Sequence, residues 1–444
     1  MRSGKSNPGN LNFKRISTEE LLTFAGNQET TIVDVRPVEA YNGWRIRHEQ
    51  RGGHIRGARS LPLKWAGYID WIEIVRSKGI LPEQLLIIYG YTPEEALQAA
   101  ERFSRSGYSR ICIYEGFISE WSANPDLPMD QLPRYQHLVY PRWLKILLDG
   151  GTPPEYDGGD FVVCHAHYRN PGAYNQGHIP GSIAVDTNTL ESPETWNRRS
   201  PEELKETLES LGISEDTTVI LYGRFSFPDN RDPFPGSSAG HLGAIRAAFI
   251  MMYAGVRDVR ILNGGLRSWE DEGFSVTDRE YKLLNRGLFK TPIPGRPELA
   301  VDVPEAREIL VSDQAELVSV RSWPEYIGEV SGYNYIEKKG RIPGSVFGNC
   351  GTDAYHMENY RNLDHTTREY HEIEEIWREV GVVPEKHNAF YCGTGWRGSE
   401  AWLNAWLMGW PWVSVFDGGW FEWSSDPDNP IETGVPEESN KIEA

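Results

Sequence analysis

Short apolar runs alternate along this chain with longer stretches of helical periodicity. Thr31-Ile32-Val33, Ile87-Ile88-Tyr89, Phe161-Val162-Val163, Ile220-Leu221-Tyr222, Leu317-Val318 and Ala389-Phe390-Tyr391 read as strands, each too short for a helix. In between, apolar residues recur at helical spacing, as at Trp402, Ala405 and Trp406, with Gly409 as a helix stop. Such alternation predicts mostly parallel sheets flanked by crossover helices, the α/β class.

The pattern comes three times, with three landmarks in the same order. The first is a strand running into a helix start: Asp34-Val35-Arg36-Pro37, Phe161 to Cys164, and Ser319-Val320-Arg321-Ser322-Trp323-Pro324. A Gly-rich turn follows, at Gly53-His54-Ile55, Gly177-His178-Ile179 and Gly340-Arg341-Ile342. The third is a strand, loop, helix and strand closing on a turn and a tryptophan: Trp121, Trp269 and Trp423. Proline-punctuated linkers near Pro133 to Pro141 and at Thr291 to Pro297 divide the chain into domains 1–135, 136–293 and 294–444. The second domain carries an insertion at 224–240, and the polar tail from Pro436 is expected to fray.

Composition narrows the function. The 444 residues suggest roughly three domains of about 150 each. Lys plus Arg at 45 against Asp plus Glu at 64 give a net charge of −19, which disfavours nucleic acid and anionic membrane as partners. The apolar run Gly243 to Gly255 is interrupted by Arg246 and is too short to span a bilayer. Met1 to Asn10 lacks the apolar core of a signal peptide, so the sequence as written reads as cytoplasmic, or periplasmic had a leader been removed. The four cysteines, Cys112, Cys164, Cys350 and Cys392, make neither a disulfide framework nor a metal-finger spacing.

One stretch carries chemistry. In Cys392-Gly393-Thr394-Gly395-Trp396-Arg397-Gly398 a strand delivers a cysteine into a glycine-rich turn, and a helix is expected from Ser399. Glycines let successive N–H groups curl into one bowl, to which a helix start adds its own. A thiol on that rim is expected to be activated and a small anion to settle beside it. The thiol's place after the strand is read as Tyr89 and Tyr222 in the first two repeats, leaving those domains catalytically silent.

The D-x-R, G-H-I-x-G, cysteine-loop and D-G-G-x-x-x-W landmarks together resemble the rhodanese family, as three tandem domains over nearly the whole chain. The resemblance implies sulfur transfer through a persulfide on Cys392. The donor would be a small anion, thiosulfate or else 3-mercaptopyruvate, and the acceptor cyanide in vitro or a protein thiol. Gly393, Thr394, Gly395, Trp396, Arg397 and Arg321 would bind donor and persulfide, Arg321 serving equally as a structural ion pair that supports the loop. Ser319 departs from the family's Asp at that place. No cofactor or metal is implied, and a monomer is expected.

Rival readings are a cysteine phosphatase and a non-enzymatic scaffold. A phosphatase loop conventionally has one more residue between Cys and Arg, so this bowl suits sulfur better. Cys164, His165 and His167 with His178 read as a degenerate repeat, Cys164 standing where the Asp would be. His356, His365 and His371 read as surface residues, and Cys350 as a turn residue.

Overall fold

The computed structural model describes residues 12–225, 239–281 and 287–436, so the first residues, most of the 224–240 insertion and nearly all the tail lie outside the described residues. The chain forms two compact units, divided after Tyr135.

In the first unit, strands β1 (Lys14–Ile16), β2 (Thr30–Asp34), β4 (Arg59–Ser60), β5 (Leu85–Tyr89) and β6 (Ile111–Tyr114) make a parallel sheet in the order β1-β6-β5-β2-β4. A small antiparallel ribbon pairs β3 (His54–Ile55) with β7 (Met129–Asp130). Helix Pro93–Arg105 opens at a reciprocal Thr92–Glu95 cap and buries Ala96, Ala99, Ala100 and Phe103.

The second unit holds two more parallel sheets. One contains β8 (Leu138–Val139), β9 (Phe161–His167), β10 (Ile183–Asp186), β11 (Thr218–Tyr222) and β12 (Asp258–Leu262), ordered β10-β9-β11-β12-β8. The other contains β13 (Ala300–Val301), β14 (Ala315–Ser319), β15 (Val346–Phe347), β16 (His387–Tyr391) and β17 (Val413–Phe416), ordered β13-β17-β16-β14-β15. Read from the matching edge, all three sheets have the same strand order. The repeats seen in sequence are repeats in topology.

The two sheets of the second unit meet through a pair of helices. Helix Ala239–Ala254 is apolar on nearly every side because it lies between them, and Phe249 packs edge-on to Trp402 of helix Trp396–Leu407 at 5.2 Å. Arg246, which interrupts the apolar run, is wholly buried and paired with Glu191 and Asp417. Among the described residues no helix is long and apolar enough to cross a membrane.

Register corrects two alignments read from sequence. Tyr89 pairs with Asp34, Tyr222 with His165, and Tyr391 with Ser319. The three tyrosines are therefore equivalent, and Gly90 and Gly223, one residue further on, stand at the place of Cys392. A common hydrogen-bonding duty keeps the tyrosines in register. The hydroxyl of Tyr89 accepts from Ile55 N at 3.1 Å and that of Tyr222 from Ile179 N at 2.9 Å. Tyr391 shares a bond of 2.9 Å with Ser345 Oγ, as Tyr222 does with Ser182 at 2.8 Å. By the same register His165, not Cys164, replaces the Asp of the second repeat. Cys164 is buried on the opposite face of β9, where strand alternation turns it away from His165 and His167.

His365 also departs from expectation. It is half-buried, stacked on Phe225 at 4.2 Å, and burial pushes its imidazole down to about 4.

Candidate active site

Cys392 leaves the central strand β16 fully buried. Its carbonyl accepts from Trp420 N at 2.8 Å and that of Gly393 from Phe421 N at 2.9 Å, so the turn after β17 pins the start of the loop. Gly393 is required by contact, since a Cβ there would lie 2.2 Å from the ring of Tyr333. Gly395 is required by conformation, with φ of +84° and a Cβ position 2.7 Å from the Asp417 carbonyl. The helix then begins at Trp396, three residues before Ser399, because Gly395 caps it and its carbonyl accepts from Ser399 N and Oγ, both at 2.8 Å. Trp396 and Arg397 are thus first-turn residues, and the bowl of N–H groups is continuous with the helix end.

Arg397 does not point into this bowl. It is buried and forms a two-pronged pair with Glu325, at 2.9 and 2.8 Å. Its Nη2 also donates to the Tyr333 hydroxyl at 2.9 Å, and Nη1 lies 3.8 Å from Cys350 Sγ. Glu325 is the hub. It accepts from Ser322 N and Oγ at 2.9 and 2.7 Å and lies 3.4 Å from Arg321 Nε. Burial raises its carboxyl, but Arg397 and Arg321 more than offset that and hold it at about 2.

Arg321 reaches past Glu325 to donate to the Gly340 carbonyl at 2.7 Å. In the first unit Arg36 makes the same bond to Gly53 at 2.7 Å, steadied by Asp34. With Ser319 in the Asp's place, the counter-charge for Arg321 comes from Glu325, one helical turn further on. The bond survives and its support has moved.

Thr394 is buried beside the hydroxyl of Tyr335. The rings of Tyr333 and Tyr335 lie tilted against each other at 5.2 Å. Tyr335 stacks in turn on Trp196 of the second domain at 5.2 Å, and Trp196 on Tyr168 at 5.6 Å. Burial pushes the hydroxyls of Tyr333 and Tyr335 up, so both stay protonated. The indole of Trp396 is half-buried. It packs beside Gly243 and donates to Glu191, 2.9 Å from Oε1. Cys350 is buried close to the site, where its thiol is pushed up to about 12 by burial, only partly countered by Arg397.

The cysteine loop read from sequence is therefore assembled as one turn, with Arg321 and Arg397 joined behind it through Glu325. Sequence reasoning missed Glu325, Tyr333, Tyr335, Glu191 and Trp196. Glu325 had a usable signal, since Ser322 followed by Glu325 is a helix-capping pattern. Tyr333 and Tyr335 stand out only as aromatics in a polar stretch, and nothing local marks Glu191 or Trp196.

Comparison with known proteins agrees with this geometry. The family model for the rhodanese-like domain matches residues 17–124, 167–272 and 302–426. Thiosulfate sulfurtransferase YnjE of Escherichia coli K12 is 39% identical over 411 residues, covering 92% of this chain and 90% of that protein. The sulfur carrier protein TtuD of Thermus thermophilus is 29% identical over 265 residues, 59% of this chain and 87% of its own. The wild-type structure of EanB is 61% identical, covers 96% of this chain and 99% of its own, and superposes with a TM-score of 0.93. Another EanB structure, described as a cysteine persulfide in a tetrahedral intermediate state with ergothioneine, is 61% identical over 95% of this chain and all of its own, with a TM-score of 0.92. The cysteine, threonine and tyrosine substituted in EanB complexes with hercynine or ergothioneine have the same sequence separations as Cys392, Thr394 and Tyr333. Of two further cysteines replaced in EanB, those separations put one at Cys350 and the other at Ser319.

Proposed function

Because the chain belongs to the rhodanese family of sulfurtransferases, which carry sulfur as a cysteine persulfide, we propose that Cys392 carries it here and passes it to the imidazole ring of hercynine, giving ergothioneine. Hercynine is the trimethylated betaine of histidine, and ergothioneine is the same molecule with sulfur on ring carbon C2. The observation that carries this reading is the match in spacing of Cys392, Thr394 and Tyr333 to the residues substituted in EanB.

Two half-reactions account for the transfer. The Cys392 thiolate attacks the outer sulfur of a sulfane donor such as thiosulfate; the new S–S bond forms as the donor's S–S bond breaks, and sulfite leaves with the electron pair. The terminal sulfur then bonds to C2 of the imidazole, passing through a tetrahedral carbon. The S–S bond breaks, its electron pair returns to Cys392 as thiolate, and the C2 proton leaves. The transferred sulfur is reduced and the carbon oxidised, so no other oxidant is required.

Each residue has a role in that scheme. The N–H groups of Gly393, Thr394, Gly395 and the helix start at Trp396 hold the persulfide's negative charge. Tyr333 lies over Gly393 with its hydroxyl fixed by Arg397, placed to exchange a proton with a ring nitrogen. Arg397 and Arg321, occupied by Glu325, act by positioning rather than by gripping a dianionic donor. Thr394 orients Tyr335, whose ring belongs to the aromatic stack with Trp196 and Tyr168. Aromatic faces attract quaternary ammonium groups, as the trimethylated end of hercynine requires.

A second reading is favoured by the names of YnjE and TtuD: thiosulfate as donor, with cyanide or a protein nucleophile as acceptor. One experiment separates the two. After brief exposure to thiosulfate, 3-mercaptopyruvate or inorganic polysulfide, the intact protein should gain about 32 Da, mapped to Cys392. Adding hercynine should discharge that sulfur into ergothioneine. A persulfide stable to hercynine but discharged by cyanide would replace the first reading with the second. No gain with any donor on reduced protein would refute both.

A further inference from the structure

The second domain lacks a cysteine where the third has its own, yet its side chains are built into the third domain's loop. Glu191 is fully buried and accepts from the Trp396 indole at 2.9 Å through Oε1. Its Oε2 accepts from Arg246 Nε at 2.9 Å. Arg246 pairs on its other side with Asp417 at 2.6 Å, and its Nη1 lies 3.0 Å from where a Cβ of Gly395 would be. Asp417 is held from a third direction by Arg198, whose backbone N and Nη1 approach at 2.8 and 2.9 Å. Arg246 also donates to the carbonyl of Trp196 at 2.9 Å. That residue has φ of +62°, rare for so bulky a side chain, and such strain persists only where surroundings over-determine it. One charged chain thus joins the Gly395–Trp396 turn to the aromatic stack.

Nothing in the fold of the third domain demands this arrangement. A half-buried Trp at a helix start needs no buried carboxylate, and burying one is costly unless it is paired and hydrogen-bonded. Here both conditions are met, and both partners bear on the loop.

We propose that Glu191 is a positioning residue for sulfur transfer: it ties the indole of Trp396 to Arg246 and thereby holds the turn from which the loop's N–H groups project. The proposal rests on the reading of Cys392 as the sulfur-bearing residue. It assigns the second domain a part in the active centre, and so a reason to accompany the third. The groups facing Glu191 are Arg246 from the apolar helix, Trp396 from the loop, Asp417 from the turn after β17 and Tyr168 beyond β9. Burial raises the Glu191 carboxyl to about 7, with Arg246 and Trp396 opposing and Asp417 adding to the rise. Protonation therefore releases the pair with Arg246 as pH falls through that region.

The test uses the full chain and compares Glu191→Ala, Glu191→Gln and Trp396→Phe with Asp302→Asn. The last cuts the bidentate pair between Arg198 and Asp302 at the same interface without touching Trp396. Displacing a reacting group by a fraction of an ångström costs on the order of tenfold or more in rate. Glu191→Ala and Trp396→Phe should each slow discharge of the Cys392 persulfide about tenfold, and together no further than Glu191→Ala alone, which already removes the bond to the indole along with the pair to Arg246. Glu191→Gln, which keeps an acceptor for the indole, should recover part of the rate and remove its dependence on pH near neutrality. Asp302→Asn should stay within about twofold. Alkylation of Cys392 by iodoacetamide, read by peptide mass at one pH, needs no sulfur transfer and should slow in the same two variants. Equal alkylation and discharge rates in wild type and Trp396→Phe would overturn the proposal, even if Glu191→Ala failed to fold. Failure of wild type to load sulfur, with alkylation still sensitive to Trp396→Phe, would count against the reading of Cys392 and in favour of the positioning role.

Discussion

The loop after Tyr391 and the loop after Tyr222 leave equivalent central strands, from equivalent tyrosines, and diverge at the next residue, Cys392 in one and Gly223 in the other. Behind both, the following turn closes in the same way: Trp420 N donates to the Cys392 carbonyl at 2.8 Å, and Leu266 N to the Gly223 carbonyl at 3.0 Å. A guanidinium reaches the turn glycine in both, but from different positions. Arg321 reaches Gly340 from the end of β14, whereas Arg224 reaches Gly177 at 3.0 Å from the loop itself. With Arg224 doing that work, His165 takes the Asp position of β9, and burial drives its imidazole down to about 3, so it stays neutral. The bowl has also been filled. A Cβ on Gly223 would lie 2.1 Å from the Gly240 carbonyl, whereas the third domain places the Cys392 side chain there. The frame is maintained by hydrogen bonds that any rhodanese-like domain must satisfy. The chemistry depends on a loop that the frame tolerates in either form.

The largest expected effect breaks the comparison at its active end. Cys392→Ser should abolish persulfide formation and transfer, a loss of at least about a thousandfold in turnover. Replacing Cys112, Cys164 or Cys350 should leave most activity. Sulfur on another cysteine in peptide maps of the Cys392 variant would overturn the assignment.

Next is Glu325→Gln, which leaves Arg397 and Arg321 buried without their shared counter-charge. Loss of one member of a buried pair costs about 3–5 kcal/mol, measurable by urea unfolding. Glu325 has a folded value of about 2, below the value of roughly 4.5 for a free carboxyl. Its contribution is therefore complete above pH ~4.5 and is lost as pH falls towards ~2. The variant should lose that part of the acid dependence. An unchanged acid limb would show that Glu325 is not the hub.

The smallest effect probes the loop after Tyr222. Gly223→Cys puts a thiol at the equivalent place, yet no second persulfide should form, and stability should fall by about 1–3 kcal/mol from overpacking. A gain of two sulfurs per chain would mean that the loop of the second domain is less filled than its geometry implies.

Much of this architecture was legible in the residues themselves. Strand and helix periods are local, so three α/β repeats, the tyrosine-ended central strands and the Cys392 loop could be read from neighbours in the chain. The alignment of Tyr222 with the thiol failed by one residue because sequence landmarks carry no register, and register belongs to the sheet. Arg397 was legible as a loop residue but not as the partner of Glu325, 72 positions away.

What the sequence by itself determined was the fold class, the repeat and which loop holds a cysteine; each follows from short-range pattern. Only the tertiary structure decided that Glu325 replaces the missing Asp beside Arg321. It alone set Tyr333 over Gly393, and brought Glu191, Trp196 and Arg246 from another domain to the Cys392 turn. Those choices arise from burial. Charges taken out of water must find partners wherever packing puts them, at separations no local motif records.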